Sequence, residues 1–333
     1  MTMPTSTTIP IDFVRELLTA VPDPARHAAY LASAGIAPAL MDESSARVTT
    51  NQFSDLYRLL ARELDDELPG MFSRPVRGGA LKLLCLSMLE APNLRVALYR
   101  LSCFFRLLID DMRIQITVSH DVVCVALVPA QGAEPARVLA QEMMLKVVHG
   151  VTSWLAGKQL PLERADFCYP PPQHASAYAY LFPGPVFFDQ ARTALYFRIG
   201  NLDVPTRRNK RTLTEFLRRA PADWLFVSSA ERVISHRVRE YLENHLEGAT
   251  PIDEVADVLH CSIRTLSRRL SVEGTSYQAI KDELRRDVAI QLLTKTATPV
   301  AVIGARIGFD DPTTFYRAFK KWTGSTPGAY RPT

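Results

Sequence analysis

Thr250-Pro251-Ile252-Asp253-Glu254-Val255-Ala256 returns in outline, 48 positions further on, as Thr298-Pro299-Val300-Ala301-Val302-Ile303-Gly304. In each copy the threonine supplies a side-chain oxygen that can cap a helix, and the proline suits the first helical turn, where no backbone donor is lost. Each short helix then runs into a turn, His260-Cys261 in the first copy and Gly308-Phe309 in the second. A fresh cap follows, Ser262 in one and Asp310 or Asp311 in the other. Helix, tight turn and helix at these lengths make a helix-turn-helix unit, expected over residues 252–273 and again over 299–323.

The second helix of each unit has two faces. Ile263, Leu266 and Leu270 fall on one side, and Arg264, Ser267, Arg268 and Ser271 on the other. In the second unit Pro312, Phe315, Phe319 and Trp322 form the expected buried face, while Thr313, Tyr316, Arg317 and Lys320 point away. The aromatic residues at helical spacing belong to a core rather than to base stacking. The outward quartets have the chemistry of a base reader: arginine bonds a guanine edge with two parallel donors, serine and threonine serve as donor or acceptor, and tyrosine reaches a phosphate or a thymine methyl. Between the units a helix is predicted from about Tyr277 to Leu293, with Ile280, Leu284, Val288 and Leu292 on one side. Its roughly 25 Å, with the tilt of the reading helices added, suits recognition of successive major grooves about 34 Å apart.

The run IDEVADVLHCSIRTLSRRLSVEGTSY (252–277) and the run Val300 to Arg331, with GFDDPTTFYRAFKKWTGSTPGAYR (308–331), closely resemble the two signature blocks of the AraC/XylS family of transcription regulators. This resemblance implies sequence-specific binding to double-stranded DNA, with base contacts at Arg264, Ser267 and Arg268 in the first unit and at Pro312, Thr313, Tyr316 and Arg317 in the second. It also implies activation as the usual mode, with RNA polymerase as a partner. Two positions depart from the family pattern, Val302 where an acidic residue is usual and Gly304 where alanine is usual. A glycine inside a helix costs about 1 kcal/mol relative to alanine, so a locally softer second unit is expected.

Upstream the pattern changes. Residues 11–110 carry apolar side chains at helical spacing, as in Leu56, Leu59, Leu60 and Leu64. Two β-rich runs follow, Met112 to Val118 and Val122 to Val128, joined by Ser119, His120 and Asp121 as a hairpin. A long helix is predicted over about 135–156, then strands over 162–169, 186–188 and 194–199, with a short helix over 175–182. The expected architecture is an α+β N-terminal domain, a helical layer on a small sheet, followed by an all-α DNA-binding domain with two helix-turn-helix units. Residues 1–219 are taken as an effector-binding and dimerisation domain, 220–230 as a linker carrying Pro221 and paired serines, and 231–333 as the DNA-binding domain. Leu94 to Leu108 and the stretch from Phe167 to Phe188 resemble the effector-domain type of the ornithine-utilisation and mycobacterial virulence-regulator branch of the same family. That type differs from the all-β, cupin-like domain of the arabinose regulator.

A small-molecule effector is the expected partner of this domain, with His174, Tyr178, Tyr180 and Arg192 as candidate contacts, because a pocket needs a few convergent polar groups among apolar ones. The basic run Arg207, Arg208, Lys210 and Arg211 reads as a solvated surface or a phosphate contact.

Composition narrows the class. The chain has 333 residues, 47% hydrophobic and 22% charged, which fits two ordinary globular domains. Its net charge is +4, and Arg232 to Thr333 holds 15 basic and 12 acidic residues, net +3, leaving 24 against 23 for the rest. The excess lies with the helix-turn-helix repeat. Five widely spaced cysteines with no C-x-x-C pair point to neither a disulfide framework nor a zinc site. No metal or cofactor is expected. The Thr- and Pro-rich opening lacks an apolar core, and no apolar run reaches membrane-spanning length, so no membrane association and a bacterial cytoplasmic, nucleoid-associated location are expected. An enzyme is disfavoured, since there is no phosphate-cradling glycine loop, paired-histidine metal motif or G-x-S-x-G. The alternative to an effector-responsive homodimeric activator is an effector-independent or architectural DNA binder controlled by dimerisation.

Overall fold

A computed structural model of the chain describes residues 7–132, 136–225, 234–246, 248 and 250–331, the side chains of 176, 179 and 180 excepted. In chain order the elements are β1 (Thr8–Pro10), α1 (Ile11–Leu18), α2 (His27–Ser33), β2 (Arg47–Thr49), α3 (Thr50–Glu63), α4 (Ala80–Leu89), α5 (Leu94–Leu108), β3 (Met112–Ser119), β4 (Val122–Pro129) and α6 (Val138–Ala156). There follow β5 (Arg164–Asp166), α7 (Tyr178–Leu181), β6 (Val186–Phe187), β7 (Thr193–Arg198), α8 (Ile199–Leu202), α9 (Lys210–Arg219) and α10 (Ala222–Leu225). The C-terminal helices are α11 (Ile234–Glu243), α12 (Ile252–Val258), α13 (Ile263–Val272), α14 (Tyr277–Lys295), α15 (Val300–Arg306) and α16 (Pro312–Thr323).

One compact unit consists of residues 13–27 and 54–228. Its sheet has the order β3-β4-β7-β5-β6, antiparallel except between β5 and β6. The predicted hairpin is present, with Ser119 opposite Val122 and Met112 opposite Pro129. Helix α6 is the spine of this unit: every residue from Leu139 to Ala156 is buried, because α5, α10 and strand β7 all pack against it. This is the expected α+β arrangement of helices on a small sheet. Polar residues are buried with the rest, Glu142, Lys146, His149, Thr152 and Ser153 included. Arg207 and Arg208 are tied to the end of that helix. The Arg207 amide donates to the Leu155 carbonyl at 2.8 Å and the Arg208 Nε to the Trp154 carbonyl at 2.8 Å, where the last carbonyls of a helix lack partners of their own.

The second unit joins residues 229–333 to two segments from the start of the chain, 1–12 and 28–53. The sequence leads one to expect contiguous domains, whereas the contacts interleave them. The reason is a two-stranded antiparallel ladder, β1 with β2, in which Thr8 lies opposite Thr49 and Pro10 opposite Arg47. Arg47 and Thr8 converge on Asp287 of α14, and the Arg47 amide donates to the Tyr330 hydroxyl at 3.2 Å. The expected linker also differs at its start: Trp224 and Leu225 of α10 are buried, since α10 packs on α6. Residues 226–230 of that linker lie outside the described residues.

Candidate nucleic-acid interface

Each helix-turn-helix unit is built by the same local rules. Ser262 caps α13 by accepting from the Thr265 amide at 3.2 Å, and Asp311 caps α16 by accepting from the Thr314 amide at 2.7 Å. The turns repeat in hydrogen bonding: the Cys261 amide reaches the Ala256 carbonyl at 2.9 Å and the Phe309 amide reaches the Gly304 carbonyl at 3.0 Å. The 48-residue spacing therefore survives through the turn, and the extra residue of the second unit enters just before α16.

Both turns need a left-handed residue, and they obtain it differently. His260 adopts φ +52°, Gly308 φ +81°. Left-handed backbone costs a residue with a Cβ roughly 1–2 kcal/mol and glycine nothing. His260 is exposed, so little packing is lost with its ring. His260→Gly is thus expected to raise unfolding free energy by about 0.5–1 kcal/mol. Gly308→Ala is expected to lower it by more than about 1 kcal/mol, since an added Cβ would stand 2.7 Å from Arg285 Nη2 and 2.9 Å from the Leu246 carbonyl oxygen. Urea unfolding of the two variants checks the opposite signs; a shift in the same direction would overturn the account. Arg285 locks the second turn further, donating to the Gly308 carbonyl at 3.0 Å and lying over the Phe309 ring at 5.0 Å.

Packing fixes which faces look outward. Leu266 and Leu270 of α13 are buried in a core with Val238, Leu242, Val255, Ile280 and Leu284. Ile263, expected on that face, is 45% exposed, because it starts the helix and extends past the core. In the second unit Phe315 and Phe319 are fully buried, with ring centroids 5.7 Å apart, and Phe319 meets Tyr330 edge-on at 5.2 Å. Pro312 is exposed and Trp322 half-buried, so the core face of α16 is narrower than the spacing predicts. Gly304 has a second role beside its low helix propensity. A Cβ there would meet the Phe315 ring at 3.2 Å, so the glycine lets α15 sit close against α16.

Arg264, Ser267 and Arg268 on α13 are exposed, as are Pro312, Thr313, Tyr316, Arg317 and Lys320 on α16. Sequence reasoning thus puts its candidates on accessible helix faces. None of the four cations Arg264, Arg268, Arg317 and Lys320 has an ion pair among the described residues, so their donors remain available to an anionic partner. Between the two units α14 runs 19 residues, about 28 Å, and is capped by Ser276. The long helix carries Asp287, 3% exposed, whose carboxylate accepts from Arg239 Nη2 at 2.8 Å and from Arg286 Nε at 3.1 Å. Glu273, just beyond α13, caps the start of α11 through the Ile234 and Ser235 amides at 2.8 and 3.0 Å.

The effector candidates fall at two places in the sheet-bearing unit. His174 Nε2 lies 2.9 Å from Glu142 Oε1, and the Tyr178 hydroxyl donates to the same oxygen. Burial and the Glu142 carboxylate push the Tyr178 phenol far above its ordinary range, so it stays a donor. Phe13, Phe167, Tyr169 and Phe188 surround this pair. Arg192 stands apart, at a cavity of about 410 Å³ between β3, β4, β7 and the start of α6. The side chain of Tyr180 lies outside the described residues. Glu142 is the residue sequence reasoning missed: it reads as an ordinary solvated helix charge, and only its burial marks it.

Comparison with known proteins decides the family. Residues 25–206 match the arabinose-binding N-terminal domain of AraC transcription regulators, and residues 255–333 match a helix-turn-helix domain. The chain belongs to the AraC family of transcription regulators. This AraC-family protein is 27% identical over 329 residues to the ornithine utilization regulator of Pseudomonas aeruginosa, covering 98% of this chain and 97% of that protein. It is 35% identical over 103 residues to the arabinose operon regulatory protein of Escherichia coli, covering 29% of this chain and 35% of that one. Among solved structures it is similar to the transcriptional regulator CdpR of Pseudomonas aeruginosa, at 24% identity and a TM-score of 0.31, with 98% of this chain and 99% of that chain covered. It is a DNA-binding transcription regulator, and its relatives and domains are regulators, not enzymes. No helix among the described residues is long and apolar enough to cross a membrane.

Proposed function

We propose that this AraC-family regulator is a homodimeric activator whose sheet-bearing unit binds a small organic metabolite and thereby changes its grip on DNA. The observation that carries the reading is that residues 25–206, similar to an arabinose-binding domain, enclose both a buried carboxylate among aromatic rings and a cavity of about 410 Å³. Such a volume lies within the usual range for a small-molecule site, about 300–1,000 Å³. The Pseudomonas relative is named for ornithine utilization. That similarity supports a metabolite-responsive role.

On the DNA side we assign base contacts to Arg264, Ser267 and Arg268 of α13 and to Pro312, Thr313, Tyr316 and Arg317 of α16, with Lys320 on a phosphate. Effector contacts are assigned to Arg192 and, separately, to His174 and Tyr178. Tyr99, Cys103 and Leu107 support pairing of two copies, since they form an i, i+4, i+8 stripe along α5 with Tyr99 63% and Leu107 73% exposed. Activation through RNA polymerase and a bacterial cytoplasmic, nucleoid-associated location follow from the family resemblance.

The test begins with genome-wide mapping of binding sites, followed by operator affinity and promoter output with and without metabolites drawn from the neighbouring genes. A coupled effector is expected to change operator affinity about 5- to 150-fold, and operator DNA must change effector affinity by the same factor. If no metabolite alters affinity or output, control by dimerisation or expression level replaces this reading.

A further inference from the structure

The cavity beside Arg192 is largely apolar. Met112 comes from the start of β3, Leu127 and Val128 from the end of β4, with Pro129 and Ala136 closing the side. At roughly 30 Å³ per water, 410 Å³ holds about a dozen water-sized groups. Polar groups enter from two sides. At the floor stand Gln141 and Thr193, 8% and 1% exposed, and with them the Cys168 thiol. Arg192 and Gln115 are exposed at the rim.

The polar floor is already spent on itself. The Thr193 hydroxyl donates to Gln141 Oε1 at 2.6 Å and accepts from the Cys168 amide at 3.2 Å, while Gln141 Nε2 donates to the Ala136 carbonyl at 2.8 Å. The Cys168 thiol also lies on Gln141 Oε1, at 3.6 Å. A pentose would bring four hydroxyls into this space, each needing a partner, and burying such groups unpaired is costly. The floor has few partners left to offer. Arg192 is different, since its guanidinium makes no ion pair or hydrogen bond among the described residues and presents five donors in a planar fork. A fork of that shape matches a carboxylate with two parallel bonds.

We propose that this cavity binds a small monocarboxylate with an apolar body, its carboxylate on Arg192 and its hydrocarbon part against Met112, Leu127 and Val128. The proposal deepens the effector reading and rests on it only for its regulatory consequence; binding itself is a separate question. Cys168 supplies a direct reporter, because its thiol lines the cavity and is exposed.

The experiment uses the full-length protein and a series of straight-chain carboxylates from butanoate to decanoate, with the matched primary alcohols, L-arabinose and L-ornithine. Alkylation of Cys168 by iodoacetamide is followed by peptide mass spectrometry, which separates it from the other four cysteines, and thermal unfolding is recorded in parallel. A carboxylate within the series is expected to protect Cys168 and raise Tm, with the matched alcohol binding about 10- to 100-fold more weakly. Arg192→Ala is expected to reduce carboxylate binding to the level of the alcohol, and Arg192→Lys to restore part of it. Arg192 is exposed, so these variants are expected to fold; an unchanged Tm without ligand verifies it. The proposal is overturned if no carboxylate protects Cys168, if protection persists undiminished in Arg192→Ala, or if L-arabinose protects better than any carboxylate. It is also overturned if only L-ornithine binds and Glu142→Gln abolishes that binding, which moves the site to the aromatic cluster. Operator affinity measured on the same samples separates the two readings. Carboxylate binding that leaves operator affinity unchanged upholds the cavity assignment and removes its regulatory role, whereas a metabolite that alters operator affinity while no carboxylate protects Cys168 upholds the effector reading and overturns the cavity assignment.

Discussion

Asp287→Ala is expected to destabilise the DNA-binding unit by about 3–5 kcal/mol, the usual loss when one partner is taken from a buried ionic cluster. Asp287 is 3% exposed and receives Arg239, Arg286 and the Thr8 hydroxyl, with Arg47 Nε at 3.9 Å. Removing the carboxylate leaves three guanidiniums facing one another with little water to screen them. Burial by itself would raise the Asp287 pKa, but Arg286, Arg239 and Arg47 outweigh it and hold the group below its ordinary 3.8. The sign of the pH dependence follows. With the folded pKa depressed, the unfolded chain takes up the proton first, so this stabilisation is complete above about pH 4 and drains away as pH falls through the folded value. Asp287→Asn keeps the shape and the Thr8 contact, so it is expected to lose less than alanine and to remove this part of the acid sensitivity. Urea unfolding of the whole protein between pH 3 and 7 measures all of this. An alanine variant as stable as the parent at pH 7 would show that the cluster contributes nothing. The same network bears on a fragment beginning near Ala230. It retains every predicted DNA contact but lacks Thr8 and Arg47, so its helix-turn-helix units are expected to be less stable than in the full chain.

That cluster also marks the boundary of what a single sequence discloses. The helix-turn-helix pair is legible because its signals are local and occur twice: a Thr-Pro pair ahead of a helix, a turn, a side-chain cap, and apolar residues at helical spacing. The expected threonine caps are not formed, since Pro251 and Pro299 themselves stand at the N-cap positions of α12 and α15, and the Thr250 hydroxyl donates to the His245 carbonyl at 3.0 Å. Exposed Arg268 and Arg317 follow from the same spacing, since a helix with one buried face must show the other. Ile263 and Pro312 show the limit, because a helix wheel takes no account of where the neighbouring core stops. Strands β1 and β2 leave no such trace. Each is three residues long, too short to display alternation, and Thr8 pairs with Thr49 across 41 positions. Asp287 and Glu142 are invisible for a related reason: a carboxylate amid helical charges reads as solvated, and only tertiary packing reveals that it is buried and what it must bind. His174 and Tyr178 were legible as chemistry but not as a pair meeting on Glu142, and nothing local separates them from Arg192 and its cavity.

Arg268→Ala and Arg317→Ala are each expected to weaken specific DNA binding by about 1–3 kcal/mol and to relax preference at different parts of the site. Both side chains are exposed, on α13 and α16, and carry no ion pair among the described residues, so no ion pair is lost with them. Arg268 sits on α13 and Arg317 on α16, at the two ends of the α14 spacer, and side chains on separate helices with no shared partner act nearly independently. The double variant is therefore expected to lose about 2–6 kcal/mol, enough to bring a specific complex close to its non-specific affinity. Lys320→Ala provides the contrast. A lysine on a phosphate adds the same energy to every sequence, so its loss is expected to weaken specific and scrambled DNA alike and to lower the dependence of log affinity on log salt by about 1. Competition binding at fixed ionic strength, with each base pair of the mapped site varied in turn, separates the two patterns. If both arginine variants and the double variant keep the parent's preference at every position, base reading lies elsewhere on α13 and α16. If they weaken all sequences equally, the arginines hold the backbone and the specificity belongs to their neighbours Ser267, Thr313 and Tyr316.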